Sequence, residues 1–281
     1  MRVCARGDRA GPVYSEPVAS FFTQLDGTTF AATAHTRGPW SADLMHAGPP
    51  TSLLSRVSTG ALAAPGMRLG RISVEILAPV PVGEVAVRAR TLRTGAQVAL
   101  VEAELLADGR ALMLARSWYL RRHPGLDVPG TASIPAPTAE GSVQSVAPGW
   151  SRGYIDAIEW RWVSGGLRES GPACVWARPL VDLVEGSPTT AVEHLLLIAD
   201  SASGISAVAD PSSLLFVNVD LTVYLRREPA PGPMWMDART RVDRNGSGVA
   251  SATIGDAEGD VARTEQLLYL QPRPPQPAPT A

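Results

Sequence analysis

Residues 187–204 read SPTTAVEHLLLIADSASG. Ser187 is placed to cap a helix, and Pro188 suits its first position, where a missing N–H costs nothing. Leu195, Leu196, Leu197, Ile198 and Ala199 form an unbroken apolar run. A helix that is apolar nearly all round is expected to be buried, and Gly204 can end it. Asp200 follows the run directly. A carboxylate there is costly unless it is hydrogen-bonded, paired or put to chemical use. The rest of the chain reads as the wrapping that holds this acid.

Downstream, residues 214–225, 234–242, 248–254 and 260–270 alternate like strands of an antiparallel meander. Upstream, residues 158–163 and 173–180 are strand-like. The first half carries the same order. FFTQL and TTFAATAHT flank a turn at Asp26-Gly27, a helix opens at Gly48-Pro49-Pro50 with Leu53, Leu54 and Val57 on its buried face, and four strands follow between residues 71 and 120, with Asp108-Gly109 as a hairpin turn. Ala89-Arg90-Thr91 matches Ala238-Arg239-Thr240, and Ser117-Trp118-Tyr119-Leu120 matches Leu267-Leu268-Tyr269-Leu270, at an offset of 149 or 150 residues. Ser73 to Ile76 is matched to Asn218 to Leu221, with a small gap. Two copies of strands, helix and meander predict an α+β chain. Its two tandem repeats are each a curved antiparallel sheet around one central helix, joined side by side because either alone leaves a sheet edge open. The repeats are placed at residues 16–122 and 151–272. A Pro/Gly/Ser-rich linker occupies 123–150, and a disordered tail 273–281.

Composition excludes several classes. The 281 residues are 45% hydrophobic and 19% charged, with a net charge of −2, which gives no electrostatic case for nucleic acid. Arg121-Arg122 reads as a solvated pair. No run approaches a membrane span, and the N-terminus lacks the apolar core of a signal peptide. Two distant cysteines, Cys4 and Cys174, make no case for a disulfide or metal site, so a reducing, cytoplasmic setting is expected. No G-x-S-x-G, HExxH, paired CxxC or Gly-Lys-Ser/Thr loop occurs.

Met45-His46-Ala47-Gly48-Pro49-Pro50, with Ser52 to Arg56 after it, resembles the first central helix of the thioesterase-like, double-hotdog proteins of the acyl-CoA thioesterase II type. The resemblance spans residues 16–271. It implies a hydrolase of fatty acyl-CoA without metal, cofactor or covalent nucleophile, in which an Asp, a Ser or Thr and a Gln orient an attacking water. Carried onto this chain, these are Asp200, Asn218 and Gln266. Asn218 is a departure, since it has no hydroxyl. It also supports an alternative, a non-catalytic acyl-thioester or lipid-binding protein on the same scaffold. Acyl-CoA is the expected partner, and exposed sheet edges suggest a homo-oligomer.

Each candidate has a plainer role beside the functional one. Asp200 is a water-orienting acceptor or a buried cap. Gln266 shares a strand face with Thr264 and Leu268, and either serves the site or lies on a solvated edge; its place in the first half is taken by Arg116. Asn218, Asp220, Thr222 and Tyr224 are expected on one strand face. Thr222 is a second hydroxyl for substrate or a solvent-facing strand residue. His46 is a proton carrier or carbonyl donor toward substrate, or a structural hydrogen-bonding residue. Gly48 lets a ligand or backbone approach closely, and its N–H can serve an oxyanion. His194 is expected to pack beside the Asp200 helix.

Overall fold

The alternating segments assemble into one 14-stranded sheet in the computed structural model, which describes residues 19–39, 41–62, 65–125, 130–145, 152–167, 169–209 and 213–273. The N-terminal stretch with Cys4, and the expected tail from residue 274 on, lie outside them. The first half runs β1 (Ser20–Gln24), β2 (Thr29–Ala32), α1 (Gly48–Gly60), β3 (Met67–Ile76), β4 (Glu84–Arg93), β5 (Val98–Ala107) and β6 (Arg110–Arg121). The β1–β2 turn is held by Asp26, whose Oδ1 accepts the N–H groups of Thr28 and Thr29 at 2.8 Å. Asp108 and Gly109 both adopt positive φ, as a tight hairpin between β5 and β6 requires.

The second half runs α2 (Gly153–Asp156), β7 (Ile158–Ser164), β8 (Ala173–Pro179), β9 (Asp182–Val184), α3 (Ala191–Ala199), α4 (Ala202–Ile205), β10 (Leu214–Asn218), β11 (Asp220–Leu225), β12 (Met234–Val242), β13 (Ser247–Asp256) and β14 (Gly259–Pro272). The halves join through antiparallel β3 and β11, with Ile72 opposite Val223 and Val74 opposite Leu221, all four fully buried. Strand β9 crosses back to pair in parallel with β1, covering the far edge of the first half. The double hotdog expected from the repeat is thus the observed fold: α1 packs on β4, β5 and β6, and α4 on β8, β12, β13 and β14. Among the described residues no helix is long and apolar enough to cross a membrane.

Two sequence expectations need correction. The single helix over residues 187–204 is two helices, and Ser187 and Pro188 precede both. Thr189 is drawn out of helical geometry because its hydroxyl accepts the Leu183 N–H and donates to Asp182. Thr190 is the cap, with Glu193 completing a reciprocal capping box. The repeat also slips by one in the last strand. Arg116 points outward to Glu102 at 2.9 Å, whereas Gln266 is fully buried. A uniform offset of 149 pairs Gln266 with inward Ser117 and restores the burial pattern.

Residues 130–145 of the linker stretch are strapped to the second half. Asp260 accepts from Ser133 and from the Ile134 N–H, Trp176 donates to the Ala139 carbonyl, and Gln144 accepts from the Leu167 N–H.

Candidate active site

Asp200 ends α3, a position where the helix dipole disfavours an anion. The residue is 6% exposed, and its carboxylate is compensated by donors. Asn218 Nδ2 donates to Oδ1 at 2.7 Å, and Gln266 Nε2 donates to the same oxygen at 3.0 Å. The second Gln266 N–H goes to the Asp200 carbonyl at 3.0 Å, and Gln266 Oε1 accepts the Ser203 N–H at 3.1 Å. The second Asn218 N–H reaches the Asp220 carbonyl. The Gln266 amide is therefore spent on fixing the carboxylate and its helix end, and the Asn218 N–H groups on the carboxylate and the bulged strand. The three residues expected to act together do meet, around one oxygen atom.

Asn218 arrives by an irregularity in the sheet. Its pair on β14 is Leu268, while Thr222 pairs with Glu265, so the strand carries one residue more than its partner between those points. The extra residue is a bulge, and the Asp220 carboxylate fills the gap by accepting the Leu267 N–H at 2.6 Å. The alternation slips there. Asn218 faces inward with Phe216, whereas Asp220, Thr222 and Tyr224 continue on the outer face and Leu221 and Val223 point in. The expectation that Asn218 shares a face with Thr222 is thereby corrected, and Thr222 stands on the opposite side of the sheet from Asp200.

His46 and Gly48 come from the other half. The His46 backbone N–H donates to the Thr36 carbonyl at 2.8 Å, which brings the ring to Asp200, with Nδ1 3.1 Å from Oδ2. The ring stacks on Tyr154 at 3.7 Å between centroids and 6° between planes. Burial lowers the His46 pKa below the ordinary histidine value, and the Asp200 charge acts against that shift. Gly48 is where the two central helices touch. A Cβ on it would lie 2.1 Å from the Leu197 carbonyl oxygen, so the close approach needing glycine is to backbone. The Gly48 N–H points at His46 Nδ1, 3.1 Å away.

Tyr154 is a site residue that sequence reading passed over. Its hydroxyl donates to the Leu197 carbonyl at 2.7 Å and accepts from Ser201 at 2.9 Å. Burial pushes its pKa far up, so it stays a neutral donor. No spacing signal marks it, because α2 is a single turn. His194 lies on α3 with its pKa lowered by burial, and it makes no contact with Asp200.

A cavity of about 650 Å³ opens beside this cluster. His46, Tyr154, Ser201 and Ile205 line it, together with Trp160 and Trp162 of β7. The Arg152–Asp156 ion pair, at 2.8 Å, stands at its rim. This size is typical of a small-molecule site.

The central helices are clamped across the halves. Arg56 of α1 grips Glu193 of α3 through Nε at 2.7 Å and Nη2 at 2.9 Å, and also bonds Ser187 and the Pro188 carbonyl. Hydrogen bonds from Arg56 and Thr190 outweigh burial and hold the Glu193 carboxyl below its ordinary range.

Residues 36–120 match the family model described as the acyl-CoA thioesterase N-terminal domain, and residues 131–270 the one described as the C-terminal domain. Among solved structures, a candidate thioesterase II of Thermobifida fusca is 17% identical, with a TM-score of 0.70 over 89% of this chain and 95% of that one. A protein with the hot dog fold from Alicyclobacillus acidocaldarius is 16% identical, with a TM-score of 0.68 over 88% and 95%. Acyl-CoA thioesterase II TesB2 of Mycobacterium marinum is 12% identical, with a TM-score of 0.64 over 91% and 97%. No curated protein sequence matches the chain. At these identities the structures speak for the fold, and the two family models supply the rest: the chain belongs to the acyl-CoA thioesterase family.

Proposed function

We propose that the protein hydrolyses fatty acyl-CoA to the free acid and CoA by means of a water oriented by the site that Asp200, Asn218 and Gln266 form. The observation that carries this reading is a buried carboxylate, fixed by the amides of Asn218 and Gln266 and joined through His46 to an apolar cavity. The acyl group lies in that cavity against Trp160, Trp162 and Ile205. The CoA phosphates stay at the mouth, where Arg152 is 73% exposed at its side chain. A carboxylate with two fixed donors on one oxygen keeps the other oriented toward His46 and the cavity, the preorganisation that acid–base chemistry there needs.

Asn218 stands where the family has a hydroxyl, yet it meets the same carboxylate, which supports catalysis without that hydroxyl. Its Oδ1 makes no hydrogen bond among the described residues and can accept from the attacking water. Exposed apolar residues on the outer face, Val217, Val249, Leu267 and Tyr269 among them, support a homo-oligomer. The test is hydrolysis of a panel of acyl-CoAs from short to long chain, followed by a thiol reporter. Turnover of at least one of them is the expected result. Saturable binding of the same panel without CoA release would replace the enzyme with the acyl-thioester-binding alternative.

A further inference from the structure

His46 Nδ1 has two partners and can satisfy only one. It lies 3.1 Å from Asp200 Oδ2 and 3.1 Å from the Gly48 nitrogen. An imidazole nitrogen carries either a proton or an in-plane lone pair. With a lone pair it accepts from Gly48, and then it faces the lone pairs of an ionised carboxylate. With a proton it donates to Asp200, and the Gly48 N–H is left to find another acceptor. A charge-assisted bond to a carboxylate is stronger than a neutral one from a backbone amide. The proton therefore belongs between Nδ1 and Oδ2. Asn218 and Gln266 reinforce this placement: both donate to Oδ1 and leave Oδ2 turned toward His46.

This leaves the other ring nitrogen. Among the described residues nothing bonds Nε2, and the His46 ring lines the cavity with 14% of its side chain exposed. Stacking on Tyr154 fixes the plane of the ring. Building on the thioesterase reading above, we propose that His46 is the general base: Nε2 takes the proton of the attacking water while Asp200 holds the ring through Nδ1–H. The water oxygen forms its bond to the thioester carbonyl carbon as its proton passes to Nε2, and the carbonyl π pair moves onto oxygen. Collapse reforms the carbonyl, breaks the C–S bond and expels the thiolate, which takes the proton back from Nε2. The products are the acid and the thiol, and His46 is neutral again.

A base of this kind must be neutral in the resting site, and burial of His46 keeps it so near neutral pH. Among the described residues, the charged and titratable groups around the ring and cavity are Asp200, the neutral Tyr154, the Arg152–Asp156 pair, and Glu159, which is bound by Arg178.

The test has two arms. Nitrogen-15 NMR of the intact protein reads the His46 tautomer without any substrate. Protonated Nδ1 and unprotonated Nε2 are expected. The opposite tautomer, with Nδ1 accepting from Gly48, overturns the proposal. The second arm is His46→Asn, whose amide N–H can replace Nδ1–H toward Asp200 but which has nothing at the Nε2 place. Its kcat is expected to fall at least about 100-fold with KM changed by less than about 3-fold, and the acidic limb of the rate profile should disappear. Exogenous imidazole is expected to restore part of the rate to His46→Ala. If His46→Asn keeps its rate within about 5-fold of the parent, His46 only positions Asp200 and the proposal fails. A parent protein that turns over no acyl-CoA removes the thioesterase reading instead, and the tautomer still decides where the proton sits.

Discussion

Replacing Gln266 with leucine deletes one buried amide at nearly constant volume. The side chain is fully buried and makes three hydrogen bonds: it accepts from the Ser203 N–H at 3.1 Å and gives its two N–H groups to the carbonyl and Oδ1 of Asp200 at 3.0 Å each. Leucine orphans the Ser203 N–H and the Asp200 carbonyl, and it takes one of two donors from Oδ1. A buried group without its partner costs about 1–3 kcal/mol. Three such losses, partly offset by added apolar burial, come to about 3–5 kcal/mol. Urea unfolding reads this as a lower midpoint at unchanged slope, and the thiol-release assay should show kcat lower by about 100-fold. Gln266→Glu sharpens the test. It keeps an acceptor for Ser203 but sets a second carboxyl group against Asp200 Oδ1. Two carboxylates so close cannot both ionise, so the folded variant holds a proton that the unfolded chain has released. Its stability should fall as pH rises above about 4. A Gln266→Leu protein that loses less than about 1 kcal/mol and keeps its rate would refute the claim that this amide holds the carboxylate in place.

Arg56→Ala strips the cross-half clamp and leaves Glu193 with only its capping bonds. The Glu193 side chain is 8% exposed, so the unpaired carboxylate should cost about 3 kcal/mol, a drop of roughly 6–12 °C in Tm for a chain of this size. A shift within 2 °C, read by calorimetry, would contradict it. Asp260 tests the linker strap. Burial pushes its carboxyl up, but bonds from Ser133, Arg226 and the Ile134 N–H win and hold it at about 2, against an ordinary 3.8. A depressed pKa stabilises the folded state above the unfolded value, and that contribution fades as pH falls from about 4 to about 2. Asp260→Asn should therefore lose about 2 kcal/mol at pH 7 and close the gap to the parent near pH 2. A gap that stays constant with pH would show that the ion pair is not its source.

What could be read from the residues followed the range of the interaction. Strands with period-two alternation and the Asp108-Gly109 turn are local facts, and they stand where expected. Gln266 was visible as a polar residue on an apolar face for the same reason. The helix start was misjudged although Thr190 and Glu193 have capping-box spacing, because Ser187-Pro188 offered an earlier start whose failure depends on Thr189 bonding to Leu183 and Asp182. The face of Asn218 was misjudged because alternation carries no mark of a bulge; the slip at Val219-Asp220 is stabilised by β14, far along the chain. His46 and Asp200 are separated by about one whole repeat, and only the packing of α1 on α3 brings them together. Tyr154 sits on a single helical turn, too short for any periodicity, and acquires its role through Leu197 and Ser201.

The most direct measurement is CoA release by the parent and by Asp200→Asn, at equal folded concentration checked by melting. The amide keeps the shape of the side chain and can still accept from Asn218 and Gln266, but its N–H would donate to His46 Nδ1 and shift the ring proton to Nε2, while the negative charge disappears. The account predicts turnover by the parent, a loss of about 10³-fold or more in the variant, and a melting point changed by only a few degrees. An Asp200→Asn protein that releases CoA at more than about a tenth of the parent rate would contradict it.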